Sequence, residues 1–243
     1  MTRKPPAAEA EARAARAAVD EGWAEQKPFD ASFGHEHWVK WATVMEAMRV
    51  FPVHPGQAVL DVGCGTGWTS AFLAEAGYRV TGVDVAPAYV EVARRRAERW
   101  GLDAEFVEAD MGELALGRTF RAALVYDALH HVDRAERAVA SVARHLEPSG
   151  WVLFGEPSWL HTVSPRARRV QRDLGVNEHG IHVRLLKRWC RDAGLGNFQR
   201  FFEGTRPYRG RLGGFAWQLA RLSGANLWVA PQASIWLAAQ RRS

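Results

Sequence analysis

Val59-Leu60-Asp61-Val62-Gly63-Cys64-Gly65-Thr66-Gly67-Trp68 sets a short apolar run ending in an acid against three glycines at alternate positions. The stretch reads as a strand, a tight turn and a helix N-terminus, with the helix beginning at about Thr66. Glycine lets the backbone turn sharply and lets a ligand approach it, because no Cβ stands in the way. The dinucleotide fingerprint is spaced G-x-G-x-x-G, whereas the spacing here is G-x-G-x-G after an acid.

Working outward, a regular alternation follows. The first strand covers Ala58 to Val62 and its helix Thr66 to Ala76, ended by Gly77. Tyr78 to Asp84 is the second strand, and Pro87 opens a helix that Gly101 stops. Ala104 to Glu108 is the third strand and Arg121 to Tyr126 the fourth. A helix covers Arg134 to Leu146, Pro148-Ser149-Gly150 turn the chain, and Trp151 to Glu156 is the fifth strand. Short apolar strands alternating with helices predict βαβ units, hence a doubly wound, mostly parallel α/β sheet. Right-handed crossovers then bring the loops after the strands to one edge, where ligands bind.

The flanks are read separately. Residues 7 to 25, rich in Ala, Glu and Arg, predict a helix docked by its C-terminal end through Val19 and Trp23. A second helix runs from Glu36 to Arg49 with Trp38, Trp41, Val44, Met45 and Met48 on one face. Beyond the fifth strand, 157–182 reads as a lid with some helix. Val183 to Ala193 reads as a helix with Leu185, Leu186 and Trp189 inward. Asn197 to Glu203 and Ser234 to Gln240 can be strands 6 and 7, and 204–231 is an insertion longer than a hairpin needs. The expected organisation is an N-terminal helical cap (1–54), a ligand-binding core (55–156) and a C-terminal lid, helix and strand region (157–243).

The 243 residues carry a net charge of +5 and only two cysteines, Cys64 and Cys190. That cysteine count argues against a disulfide framework and fits a reducing compartment. No stretch approaches the roughly 18 uninterrupted apolar residues of a membrane span, so a cytoplasmic protein is expected. Arginine supplies most of the positive charge, as a GC-rich coding bias would produce, and nucleic acid is not the expected partner.

Asp61-Val62-Gly63-Cys64-Gly65-Thr66-Gly67 resembles motif I of the class I S-adenosylmethionine-dependent methyltransferases. The resemblance covers about Pro55 to Glu156. It implies a seven-stranded Rossmann-like sheet with strand 7 antiparallel beside strand 5, and S-adenosyl-L-methionine as cofactor. It also implies roles by position. Main-chain groups of Gly63, Gly65 and Gly67 would lie along the methionine and ribose, and Asp61 would help orient the ammonium directly or through water. Asp84, close to the roughly 20 residues expected after the glycines, would take the ribose diol. Asp110 and Met111 would hold the adenine, and the backbone at Tyr126 would pass near the ammonium. NAD(P) is the competing cofactor, since Asp84 could bind its ribose; the glycine spacing opposes it.

A hydroxyl acceptor needs a base that titrates near neutrality, for which histidine is suited. His130 and His131 follow the fourth strand and Glu156 ends the fifth, an arrangement similar to that of small-molecule and sugar O-methyltransferases. His131 is the first choice of base, His130 the second, and Glu156 the orienting partner. The alternative is that the histidines cap the next helix or pack on adenine. His161, His179 and His182, with Glu156 or Asp127, lack a diagnostic metal spacing, so no metal is expected. Arg166, Arg168, Arg169, Arg206, Arg209 and Arg211 would suit an anionic acceptor. The expected partner is thus a small molecule such as a sugar or natural product, with room left for a homodimer. An RNA or protein methyltransferase is the nearer alternative, and a non-catalytic partner protein keeping the fold the more distant one.

Overall fold

The computed structural model describes residues 7–22, 24–29, 34–201 and 234–243. A seven-stranded sheet has the order β3-β2-β1-β4-β5-β7-β6. Its strands are β1 (Ala58–Val62), β2 (Arg79–Asp84), β3 (Ala104–Glu108), β4 (Phe120–Tyr126), β5 (Leu146–Pro157), β6 (Leu195–Phe201) and β7 (Ser234–Arg241). The first five pair in parallel, and β7 runs antiparallel between β5 and β6. The order turns back on either side of β1 and β4, so their carboxyl ends flank the switch point where such sheets bind ligands.

Seven helices flank the sheet among the described residues: α1 (Ala7–Asp20), α2 (Gly34–Val50), α3 (Trp68–Glu75), α4 (Pro87–Trp100), α5 (Ala135–Arg144), α6 (Pro165–Leu174) and α7 (Val183–Asp192). Local chemistry sets their ends. Pro87 opens α4, and Gly101 closes it in the left-handed conformation, φ 63°. Ser164 caps α6 by accepting from the Ala167 N–H, and Gly175 closes it with φ 74°. No described helix is long and apolar enough to cross a membrane.

The period of two along a strand divides the core. Leu60, Val62, Ala123, Val125, Val152, Phe154 and Leu237 face one layer with Val139, Val142 and Leu186 of the helices. Val59, Leu124, Trp151, Leu153 and Trp236 face the other, against Val44, Met48 and Leu73. Both faces of the central strands are buried, as helices on both sides require.

Several details differ from the sequence reading. Pro148-Ser149-Gly150 do not end a loop before β5; the strand starts at Leu146, and the register against β4 shifts between Phe120 and Ala122. Residues 147–150 stand opposite the single Arg121 of β4, and the expected turn falls there, inside the assigned strand, with Ser149 at φ 60°. Helix α1 docks along its length through Ala10, Ala15 and Ala18, because alanine lets two backbones approach closely; Val19 is only half-buried. On α2 the buried apolar residues are Val44, Ala47 and Met48, with His37 and Thr43 also buried, while Trp38 is 48% and Met45 36% exposed. On α7 Leu186 and Cys190 are fully buried, and Leu185 and Trp189 half-buried. Trp23, the insertion at 204–231 and Arg206, Arg209 and Arg211 lie outside the described residues.

Candidate active site

A cavity of about 780 Å³ opens at the carboxyl ends of β1 to β4. Gly63, Gly65, Asp84, Asp110, Met111, Tyr126, His130 and His131 line it. Asp61, Gly67 and Glu156 do not line it, and their contacts show why.

Asp61 is buried, and its Oδ2 accepts from Thr69 Oγ1 and Ser70 Oγ, each at 2.6 Å. It therefore ties β1 to the first turn of α3. Burial pushes its carboxyl up to about 6, against the pull of those two hydroxyls. Gly67 starts α3, where a Cβ would come within 2.7 Å of the Ala93 Cβ on α4. Gly63 stands equally close to the opposite wall: a Cβ there would lie 2.3 Å from the Ala128 Cβ after β4. A Cβ on Gly65, by contrast, would meet no protein atom within 4 Å. The space it leaves belongs to the cavity.

Asp84 locks the glycine turn. Its Oδ2 accepts the Gly65 N–H at 2.8 Å and its Oδ1 the Ala86 N–H at 2.9 Å. Burial raises its carboxyl, and these backbone donors pull it back. Asp110, at the end of β3, accepts the Gly112 N–H at 2.7 Å and stays exposed to the cavity beside Met111. Tyr126 is buried with its ring edge-on to Trp68 and stacked on Trp236.

Glu156, wholly buried, organises the loop after β4. Its Oε1 accepts the backbone N–H of Ala128 at 3.2 Å and of Leu129 at 2.9 Å. Its Oε2 lies 2.8 Å from His130 Nδ1 and also accepts the His130 N–H. A carboxylate that caps the 3-10 turn Leu129–His131 thus fixes the ring of its second residue. The ring that Glu156 orients is His130's and not His131's, contrary to the first choice from the sequence. One residue of rotation in the turn makes the difference.

Burial alone would lower the His130 pKa, but the hydrogen bond and charge of Glu156, with Asp127 and Glu178, raise it. His131 goes the other way, down to about 4, through burial and the neighbouring His130 charge. Its Nδ1 lies 2.7 Å from the Asn177 carbonyl and 3.1 Å from Glu11 Oε1. Since a carbonyl only accepts, that Nδ1 carries the hydrogen.

The sequence reading does not single out Glu11 or Glu178, and names Asp127 only beside the lid histidines. Glu11 reaches the cavity from α1, and burial followed by the Asp84 charge pushes its carboxyl up to about 7. Asp127 lines the cavity in the left-handed conformation, φ 54°. Burial would raise its pKa, but Lys40 and the two histidines hold it below the usual range. Glu178 faces His161 at 2.5 Å and His130 Nε2 at 3.7 Å. The loop that carries it is tied to the end of β5 and to the turn after β4, with the Ile181 N–H bonded to the Pro157 carbonyl and the His179 N–H to the His130 carbonyl. His179 and His182 are exposed, and His182 caps α7, so the lid histidines do not converge with His161. Of the described arginines singled out in sequence, Arg166 lines the cavity, while Arg168 and Arg169 point to solvent on α6. Only Asp127 offered a signal, as an acid directly after a strand in a parallel sheet.

A family model described as a methyltransferase domain matches residues 59–150. A ubiquinone biosynthesis O-methyltransferase of Nitrosococcus oceani is 30% identical over 162 residues, which cover 62% of this chain and 68% of the relative. The chain belongs to the class I S-adenosylmethionine-dependent methyltransferases. A protein with the same description from Bordetella avium is 36% identical over 150 residues, 58% of this chain; the match spans 62% of that relative's length. Among solved structures, magnesium protoporphyrin IX methyltransferase from Synechocystis with bound S-adenosylmethionine superposes with a TM-score of 0.67. That pair is 17% identical over 99% of this chain and 100% of the other, a likeness of fold. The matched residues 59–150 run from β1 into the first part of β5 and include the stretch of the cavity lining from Gly63 to Ala138.

Proposed function

We propose that the chain transfers the methyl group of S-adenosylmethionine to a hydroxyl oxygen of a small-molecule acceptor, in the cytoplasm. The observation that carries this reading is a single cavity lined by strand-tip acids, open glycine backbone and a carboxylate-oriented histidine.

The residues present suit the cofactor. Asp84 has lone pairs left beyond its two backbone bonds and would accept the ribose hydroxyls. The Gly63 and Gly65 backbone would lie along the ribose and amino-acid portion, next to the main chain of Tyr126. Asp110 and Met111 would bracket the adenine with an acceptor and an apolar surface. Asp61 would act at one remove, by holding the turn. When bound, S-adenosylmethionine supplies a methyl group activated by its sulfonium.

The chain's own task is then to position and deprotonate the acceptor. Positioning alone is worth about 7–11 kcal/mol in well-oriented systems. With Nδ1 donating to Glu156, His130 turns Nε2 to the cavity and takes the hydroxyl proton there; Glu156 stabilises the imidazolium that results. His131, held neutral by its low pKa, is the poorer base. Lys27, Lys40, Arg134, Arg137 and Arg166 also line the cavity, which favours an acceptor carrying a carboxylate or phosphate. The segment 157–182 would close over it as a lid.

The test is transfer of labelled methyl to a panel of hydroxylated acids and sugars, with total RNA and protein alongside. Label should enter a small molecule, and His130→Ala should lower turnover by about 10²–10⁴-fold, the usual contribution of a general base. Label confined to the macromolecules would overturn the reading.

A further inference from the structure

We propose that His130, His131 and Glu178 form a binding site for one divalent transition-metal ion of the zinc, cobalt or manganese class. One nitrogen from each ring and a carboxylate oxygen all lie within 4.8 Å of one another. Ligand atoms stand about 2.0–2.2 Å from such an ion, so closing the set needs side-chain movements of about an ångström.

The supporting contacts are those of a metal site. Metal-bound histidines characteristically give their other ring N–H to a carboxylate or a backbone carbonyl. His130 does so to Glu156 at 2.8 Å and His131 to the Asn177 carbonyl at 2.7 Å. Both rings are thereby left with Nε2 as the nitrogen that has a lone pair to offer. Glu178 Oε2 is 3.7 Å from His130 Nε2, beyond hydrogen-bond range. The two face each other across a gap. The same Oε2 is held at 2.5 Å by His161 Nε2, which fixes the carboxylate beside that gap.

Two imidazoles and one carboxylate make a borderline donor set. It suits zinc, cobalt, manganese or ferrous iron better than magnesium or calcium, which prefer all-oxygen shells. Three protein ligands on the cavity wall leave positions open, the pattern of a catalytic rather than a structural site. An ion and a proton exclude each other at His130 Nε2. In the loaded chain the ring would therefore act as ligand in place of base, and the open positions would take the acceptor's hydroxyl oxygen, whose pKa the ion lowers so that its proton leaves to solvent. That use rests on the methyl-transfer reading, whereas the binding does not.

The untagged chain, stripped with chelator, is titrated with Co²⁺ by visible absorption and with Zn²⁺ by calorimetry. The expected result is uptake of one ion per chain, weakened at least about tenfold in Glu178→Gln and in His131→Ala. His179→Ala, at an exposed site, should bind as the parent does. Melting curves verify folding, and should Glu178→Gln fail to fold, the half-exposed His131→Gln carries the same comparison. Absence of cobalt absorption and zinc heat, or uptake indifferent to these substitutions, would overturn the site. A chain that binds the ion and moves no methyl group would remove the function and leave the site; methyl transfer without ion uptake does the reverse.

Discussion

The cavity has a floor and a roof, built from different kinds of contact. On the floor, at the tips of β1, β2, β4 and β5, acids are tied mostly to backbone amides and to hydroxyls. Asp84 holds Gly65 and Ala86, Glu156 holds Ala128 and Leu129, and Asp61 holds Thr69 and Ser70. On the roof, from α1 and the segment after β5, acids meet histidines: Glu11 with His131, Glu178 with His161. A carboxylate bound to backbone fixes shape. One bound to a titratable side chain changes with proton, ion or ligand. Under the proposed reading the floor would serve one constant cofactor and the roof a particular acceptor.

The largest expected effect lies in the floor. Glu156→Ala strips the acceptors from buried backbone donors and from His130, and breaking such a buried network costs about 3–5 kcal/mol. Chemical denaturation should show that loss, and Glu156→Gln, which keeps the shape, should lose clearly less. A loss from Glu156→Ala below about 1 kcal/mol would erase the distinction between floor and roof.

Next comes a pH dependence. The Asp61 pKa is raised from 3.8 to about 6, so the folded chain binds its proton more tightly than the unfolded chain. Its contribution to stability is complete below about pH 4 and is lost as pH rises through about 6, by up to about 3 kcal/mol. Asp61→Asn should flatten that slope in unfolding free energies measured across the range. An unchanged slope would mean another group carries it.

The smallest effect belongs to the roof. Ser164→Ala removes the cap of α6 and should cost about 1 kcal/mol, with cofactor affinity unaltered in calorimetry. A parallel loss of affinity would show the roof helping to build the cofactor seat.

The floor was legible in the sequence because a parallel sheet puts every post-strand residue at one edge. Asp84 and Asp110 therefore reach the cavity from position alone. What position could not tell was direction. The alternation along β1 turns Asp61 to the Thr69 and Ser70 side and away from the cavity, although it sits in the same motif as Gly63 and Gly65. Whether Glu156 meets His130 or His131 depends on one residue of a 3-10 turn, finer than any hydrophobic period resolves. The roof left almost no trace. Glu11 lies in an Ala-Glu-Arg helix where one acid resembles the next, and Glu178 lies in a loop without periodicity. Only tertiary packing selects them.

The division between a cofactor floor and an acceptor site is tested most directly by calorimetry with S-adenosylmethionine on the parent, Asp84→Ala and His130→Ala, alongside turnover. Asp84→Ala should weaken cofactor binding by about tenfold or more, as loss of charge-assisted hydrogen bonds does. His130→Ala should bind the cofactor within about twofold of the parent and lose its loss-sensitive quantity, turnover, by the factor expected of a base. Undiminished cofactor affinity in Asp84→Ala, or an affinity that falls with His130 instead, would contradict the account.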